Sequence, residues 1–521
     1  MGTGTTQWAD LCVIVTYMVS MVALGAYFTR RQKSASEYLL ASRNVGWFAI
    51  GLSLLSTLNS AIDYVIGPAQ ILEYGFMNLV MILPVFISFP IIFRYFLPFY
   101  QRLRFFNCYE YLEHRFNVRV RIIVTLIFIL WRISWMGTTL YLPAYVLHVA
   151  MGWDLLWTIA VLGAITTVYT TLGGVRAAIW TDVTQAFIMF AGLILAIILV
   201  TAQVPGGMGH VWTVSREAGF MYFTARIPGM AEAPGVFEKI GLYFHANLTF
   251  WSILIMGTLS KLTSYGADQV MVQRYLTAKS IDDSRRGFLL NSIAYVIYSL
   301  LFILLGMGLF TYFKLYPLPE GTRYEYMFPY FIDRHVPVIV KGLIIAAIYA
   351  AAQSSVSSGI TATAAAIFSD LYLRLFKNQV SVDEHVSEAV QREQVRISRI
   401  CALCLGLGVT LFACLIRHLH ANDGLFSLFN KMVASFAGLI IPIFLLGMFS
   451  RRVGSAGVGL GALLGLAAGY YWAFHTRLGY GWTACVAFVV TVLVAYGVSL
   501  LQPVPGRDKL AWCWKDIMAR P

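Results

Sequence analysis

Charge is what this sequence has least of. Asp, Glu, Lys and Arg make up 12% of its 521 residues, where a soluble globular domain carries about 25%. The deficit runs from end to end, so no segment has the surface of a separate soluble domain. Several signatures of chemistry are also missing: there is no GxxxxGK[ST] loop, no HExxH and no GxSxG. ATP hydrolysis and hydrolytic catalysis therefore have no residues to carry them, and an enzyme is not expected. Cysteine is sparse, at seven. Cys401 and Cys404 form a CxxC inside an apolar run without a second ligand pair, and read as small apolar filler. The opening "MGTGTTQWADL" has no basic n-region, so no cleavable signal peptide is expected.

Apolar residues are abundant, at 59%. Runs of roughly 18 residues or more recur along the whole chain, and each is long enough to cross a hydrocarbon core about 30 Å thick. The expected fold class is an all-α polytopic membrane protein with about thirteen transmembrane helices. The net charge of +13 would suggest nucleic acid in a soluble protein. Here about two-thirds of the Lys and Arg fall in alternate loops and the C-terminal tail, which is the positive-inside asymmetry. The partner of that charge is the lipid bilayer, not nucleic acid. An odd number of spans with a basic cytoplasmic C-terminus places the N-terminus outside and the protein in the plasma (inner) membrane.

Two spans are interrupted by polar residues, "STLNSAID" at 56–63 and "SKLTSYGADQ" at 260–269. Five spans separate their starts, so the two run in opposite directions. Two five-helix units related by inversion, each opening on a broken helix, point to a secondary transporter with a site near the midplane. The expected organisation is an extra N-terminal helix and loop (1–44), a first repeat (45–203), an extracellular loop (204–244), a second repeat (245–449), and C-terminal helices with a cytoplasmic tail (450–521). Gly457, Gly461, Gly465 and Gly469 recur every four residues, a stripe for close helix packing.

Polar groups inside apolar spans are costly and usually face a cavity or a partner. Asp63 and Lys261 lie within the interrupted segments and are the strongest functional candidates. Arg132 and Lys431 read as snorkelling or paired structural residues. Asp182 reads equally well as a ligand and as a helix cap. In "AAQSSVSSGI" (351–360), a helix puts Ala351, Ser354, Ser355 and Ser358 on one face. Small residues at this spacing serve close packing. They equally supply neutral oxygen ligands for a monovalent cation, provided another helix offers free carbonyls.

Several stretches taken together resemble the sodium:solute symporter family, which includes the sodium/glucose, proline, iodide, multivitamin and sialic-acid symporters. They are "SASEYLLASRNVGWFAIGLSLLSTLNSAID", "TLGGVRAAIWTDVTQAFIMFAG", "ADQVMVQRYLTAKS", "AAQSSVSSGITA" and "IIPIFLLGMFSRR". The resemblance runs from about residue 10 to 475. It implies the inverted five-helix repeat of the leucine transporter and sodium-coupled symport of a small polar organic solute, such as sialic acid or another carboxylate, an amino acid or a sugar. It implies a main sodium site made by the carbonyls of Ser56, Asn59 and Ala351 and the hydroxyls of Ser354 and Ser355. It implies a second one at Asp182 with Ser354, Ser357 and Ser358. The solute positions correspond to Ser60, Asp63, Trp135, Lys261 and Asn430. At several of them this chain departs from its relatives: Asp63 replaces a neutral polar residue, and Trp135 stands where sialic-acid members carry an Arg. The expected partners are sodium ions and a small-molecule solute, with the monomer as the working unit. A sodium-independent uniporter or channel, or a transporter-like nutrient sensor, is the alternative.

Overall fold

The computed structural model describes residues 8–29, 34–220, 227, 229–319, 324–382, 386–419, 431, 433–436 and 438–520. Among these the regular elements are all helical, and the one isolated bridge joins Val45 to Ala278. The main helices are α1 (Trp8–Thr29), α2 (Trp47–Leu58), α3 (Ala61–Tyr74), α4 (Val118–Met151), α5 (Leu155–Ala202), α6 (Phe250–Gly266), α7 (Gln269–Leu276), α8 (Ile281–Leu315), α9 (Val340–Ala366), α10 (Glu388–Leu419), α11 (Ile440–Phe449), α12 (Ser455–His475) and α13 (Thr483–Leu500).

Nine helices among the described residues are long and apolar enough to cross a membrane, or up to eleven if each bent pair is one span. The thirteen expected from hydropathy are not reached on this measure, for two reasons. The 48-residue α5 holds two expected spans in one continuous helical run, with Gly174 (φ 57°, ψ −166°) as the break between them. A glycine is needed there because a side chain rarely adopts that backbone. The expected span at 425–449 falls partly outside the described residues.

Both expected interruptions are present. α2 ends at Leu58 and the chain restarts as α3 at Ala61, bent by 60°. Asn59 and Ser60 are extended there, and the Ser60 hydroxyl accepts from the Ile62 amide at 3.2 Å while the Asp63 carboxylate accepts from the Ser60 amide at 2.8 Å. This is a capping box, and it stabilises a helix start in the interior of the protein. α6 ends at Gly266, and α7 begins after Asp268, whose side chain accepts from the Val270 amide at 2.9 Å.

α9 lies in the interior of the molecule, with every residue from Ile344 to Ala366 buried. Alanine and serine make this placement possible. A methyl on Gly192 of α5 would collide with Ala347, and one on Gly359 with Met136 of α4. Small side chains thus let three backbones approach closely. The glycine stripe of α12 acts likewise: a methyl at Gly457 or Gly465 would strike the Ala495 carbonyl or the Thr491 hydroxyl of α13.

Candidate functional site

A helix leaves its last four carbonyls without intrahelical partners. At the end of α2 they meet α9. The Ser354 hydroxyl donates to the Ser56 carbonyl at 2.8 Å and lies 3.0 Å from the Ala351 carbonyl. The Ser355 hydroxyl donates to the Thr57 carbonyl at 2.9 Å. Two groups of neutral oxygens are thus formed by successive residues, Ser354 with the Ser56 and Ala351 carbonyls and Ser355 with the Thr57 carbonyl, all from buried residues. A hydroxyl rotates about its C–O bond, so it can turn its proton away and present a lone pair to a cation. Thr57 supplies the carbonyl that Ser355 meets. Asn59 caps α2 and returns its side-chain amide to the Leu55 carbonyl at 2.8 Å.

The second break is closed by contrast. Its Gly266 and Ala267 carbonyls accept from the phenols of Tyr100, at 2.5 Å, and Tyr109, at 3.3 Å. Asp268 is held by an ion pair with Arg132. That pair gives Arg132 a structural partner. Its guanidinium also lies over the rings of Trp131 and Trp135, 4.8 and 5.9 Å from their centres.

Asp182 lies eight residues beyond the Gly174 break, inside α5 and fully buried, so it does not cap a helix start. Its Oδ2 accepts from the hydroxyls of Ser53 at 2.6 Å, Ser358 at 3.0 Å and Thr57 at 3.3 Å. Arg274 of α7, also fully buried, lies 3.4 Å from the same oxygen, bonds to Ser358, and donates to the Val270 carbonyl at 2.8 Å. The other carboxylate oxygen of Asp182, Oδ1, is buried without a hydrogen-bond partner among the described residues, which leaves lone pairs for a cation. Of the serines expected beside Asp182, Ser358 reaches it. Ser354 faces Ser56, and Ser357 bonds back to the Ser354 carbonyl at 3.2 Å.

Ser60 and Asp63 serve the capping box. Lys261 stands over the Tyr295 ring at 3.8 Å and the Tyr265 ring at 5.8 Å, with no ion pair to Asp63 within 4.0 Å. Trp135 is half-buried. Asn430 lies outside the described residues.

Sequence reading missed Ser53, Thr57, Asp268 and Arg274. Arg274 stands among apolar neighbours in "VMVQRYL" next to a basic segment, where a lone arginine looks like one more loop cation. Ser53 and Thr57 carried a signal: Ser53, Ser56, Thr57 and Ser60 follow i, i+3, i+4 and i+7 on the interrupted span.

A helix broken in the protein interior, with its free carbonyls facing rotatable hydroxyls beside a buried carboxylate, is the arrangement found in carriers that bind small ions in their interior. Comparisons with known proteins agree. The sodium:solute symporter family profile matches residues 38–469, and the chain belongs to that family. Curated relatives include the sodium/sialic acid symporter NanT of Aliivibrio fischeri, 29% identical and covering 93% of this chain and 91% of its own. The sodium/sialic acid symporter SiaT of Proteus mirabilis is 29% identical over 87% of each chain. The sodium-dependent multivitamin transporter of Oryctolagus cuniculus is 30% identical, over 92% of this chain and 71% of its own. Among solved structures, a substrate-bound, outward-open Na+-coupled sialic acid symporter with a novel Na+ site superposes with a TM-score of 0.83 at 26% identity, covering 96% of this chain and 99% of that one. Mhp1, a nucleobase-cation-symport-1 family transporter, superposes at 0.54 and 14% identity over 92% and 98%, a likeness of fold alone. The protein is thus a multi-pass membrane transporter of the leucine-transporter type.

Proposed function

We propose that this chain carries a small polar, carboxylate-bearing solute across the plasma membrane together with sodium, by alternating access. The observation that carries the reading is the meeting of the Ser56, Thr57 and Ala351 carbonyls with the Ser354 and Ser355 hydroxyls at the first helix break. These oxygens are neutral and the two hydroxyls among them rotate, which suits an ion that must bind and then leave. Asp182, with its unpartnered Oδ1 and the Ser358 hydroxyl, is proposed to hold a second sodium. Named relatives act on sialic acid and on monocarboxylates, and an acidic sugar or other carboxylate is the solute class we assign. Lys261 is the candidate cation for its carboxylate, because Arg132 is already neutralised by Asp268. Ser60, Asp63, Trp135 and Asn430 complete the proposed pocket. The repeats at 45–203 and 245–449, the outside N-terminus, the cytoplasmic C-terminus and the monomer as working unit belong to the same reading.

The test is uptake into liposomes of a labelled sialic acid, with a monocarboxylate in parallel, as a function of sodium. Ser354→Ala and Ser355→Ala should each raise the half-saturating sodium concentration about tenfold, since each deletes one interaction of about 1.5 kcal/mol with a charged group. Unchanged sodium dependence in both variants would remove the main site from these residues. Sodium-dependent binding without accumulation would instead mark a sensor.

A further inference from the structure

On the side of the molecule that carries the Lys- and Arg-rich segments, the first turns of α10 line a groove of about 580 Å³. Arg392, Arg396, Arg399 and Leu403 recur at i, i+4, i+7 and i+11, a single stripe of the helix, and all four line the groove. The one acid in its lining, Glu388, is taken up by Arg392 at 3.1 Å. Arg396 is exposed and makes no ion pair among the described residues. Arg399 is half-buried with its guanidinium 5.8 Å from the Tyr38 ring centre, and its Nε is shielded from water without a hydrogen-bond acceptor among the described residues. The hydroxyl of Thr171, which lines the groove from α5, is buried and unpartnered too. Two such donors beside one groove are a place where an acceptor from outside the protein fits.

Below the arginines the stripe turns apolar. Ile400 and Leu403 line the same groove, and Leu407, Leu411 and Leu415 continue as an exposed row. At a rise of 1.5 Å per residue, Arg399 and Arg396 stand roughly 2 and 6 Å beyond Ile400 along the axis. That is the depth of the polar headgroup layer, which is about 5–8 Å on each side of the hydrocarbon. We infer that this groove binds the headgroup of an anionic phospholipid. Its phosphodiester sits on Arg396, Arg399 and Thr171, and its acyl chains lie along Ile400, Leu403 and the leucines below. A free phosphate would meet the donors but leave the apolar half of the groove empty. Continuity with the lipid-facing row selects the lipid.

The test uses the purified full-length chain in a neutral detergent and follows thermal unfolding. The added probes are dioctanoyl phosphatidylglycerol, dioctanoyl phosphatidylcholine and inorganic phosphate. Phosphatidylglycerol should raise the unfolding temperature and the other two should not. Each arginine near a membrane surface is worth about fivefold in binding. The double variant Arg396→Gln, Arg399→Gln should therefore need roughly twenty-five-fold more phosphatidylglycerol for the same rise. Arg396→Lys, which keeps the charge, should retain most of the effect. Arg286→Gln, on an exposed arginine at the start of α8, should retain all of it. An equal rise with phosphatidylcholine, a rise reproduced by phosphate alone, or an equal loss in Arg286→Gln would each overturn the assignment.

Discussion

Arg274 and Asp182 share one buried environment, each fully shielded from water. Removing one member of such a pair leaves the other as an uncompensated buried charge, at a cost of about 3–5 kcal/mol. Arg274→Gln should therefore lower thermal stability by that amount in sodium-free buffer, and Asp182→Asn in the same chain should restore most of it. If sodium binds Asp182, it becomes the only counter-charge once the guanidinium is gone. Sodium should then stabilise Arg274→Gln more steeply than wild type. Unfolding temperatures measured across a sodium series, with choline as the replacement cation, decide this. An unchanged sodium slope in Arg274→Gln would leave Asp182 as a structural partner of Arg274 only.

Among the elements, the short helix Glu110–Arg115 shows how polar segments are built into the end of the bundle. Arg115 donates to the Gly447 carbonyl at 2.9 Å and the Ser450 carbonyl at 2.7 Å, satisfying the open end of α11. Nearby, Asp370 accepts from Arg121 at 2.5 Å, Thr125 at 2.6 Å and Asn107 at 2.7 Å. Glu110 sits beside this network with its Oε2 buried and unpartnered. Burial pushes its carboxyl up from 4.5 to about 7, against the pull of Arg121. Between those values the folded protein holds a proton that the unfolded chain has lost, so this group's stabilisation is present below pH 4.5 and lost as pH rises through 7. The loss is on the order of 3 kcal/mol. Glu110→Gln should match wild type at pH 4.5 and exceed it in unfolding temperature at pH 8. Parallel profiles for the two proteins would show that the carboxyl is already ionised in the folded state.

For the whole molecule, the measurable consequence of one or two sodium sites is net charge movement. An anionic solute entering with one sodium carries no net charge. With two sodium ions it carries one charge inward, which gains about 2.3 kcal/mol per 100 mV of inside-negative potential. At 1.4 kcal/mol per tenfold, that is roughly fortyfold extra accumulation. Liposomes clamped at −100 mV and at zero with a potassium gradient and an ionophore should show this difference in the wild type. Asp182→Ala, if it still transports, should show none. Accumulation independent of potential in the wild type would limit the cycle to one sodium per anionic solute.

Class and family were legible in the sequence, because hydropathy and local motifs carry them. A membrane span must be apolar over its whole length, and a serine cluster on α9 shows in any reading of helical periodicity. The two breaks at 59–60 and 267–268 were marked by polar residues in apolar runs, since freed backbone groups in a membrane interior need polar partners. What local spacing does not hold is which distant residue faces which. Asp182 read equally well as a ligand and as a helix cap, and α5, continuing beyond the Gly174 break, carries it into the interior rather than to a helix start. The capping bond that Asp63 makes to the Ser60 amide was likewise not visible as such in the sequence. Arg274 looked like a loop cation, and the fold buried it against Asp182, 92 residues away in sequence. Charge inside a bundle is stabilised by its partner, and partners separated by whole helices are chosen by tertiary packing alone.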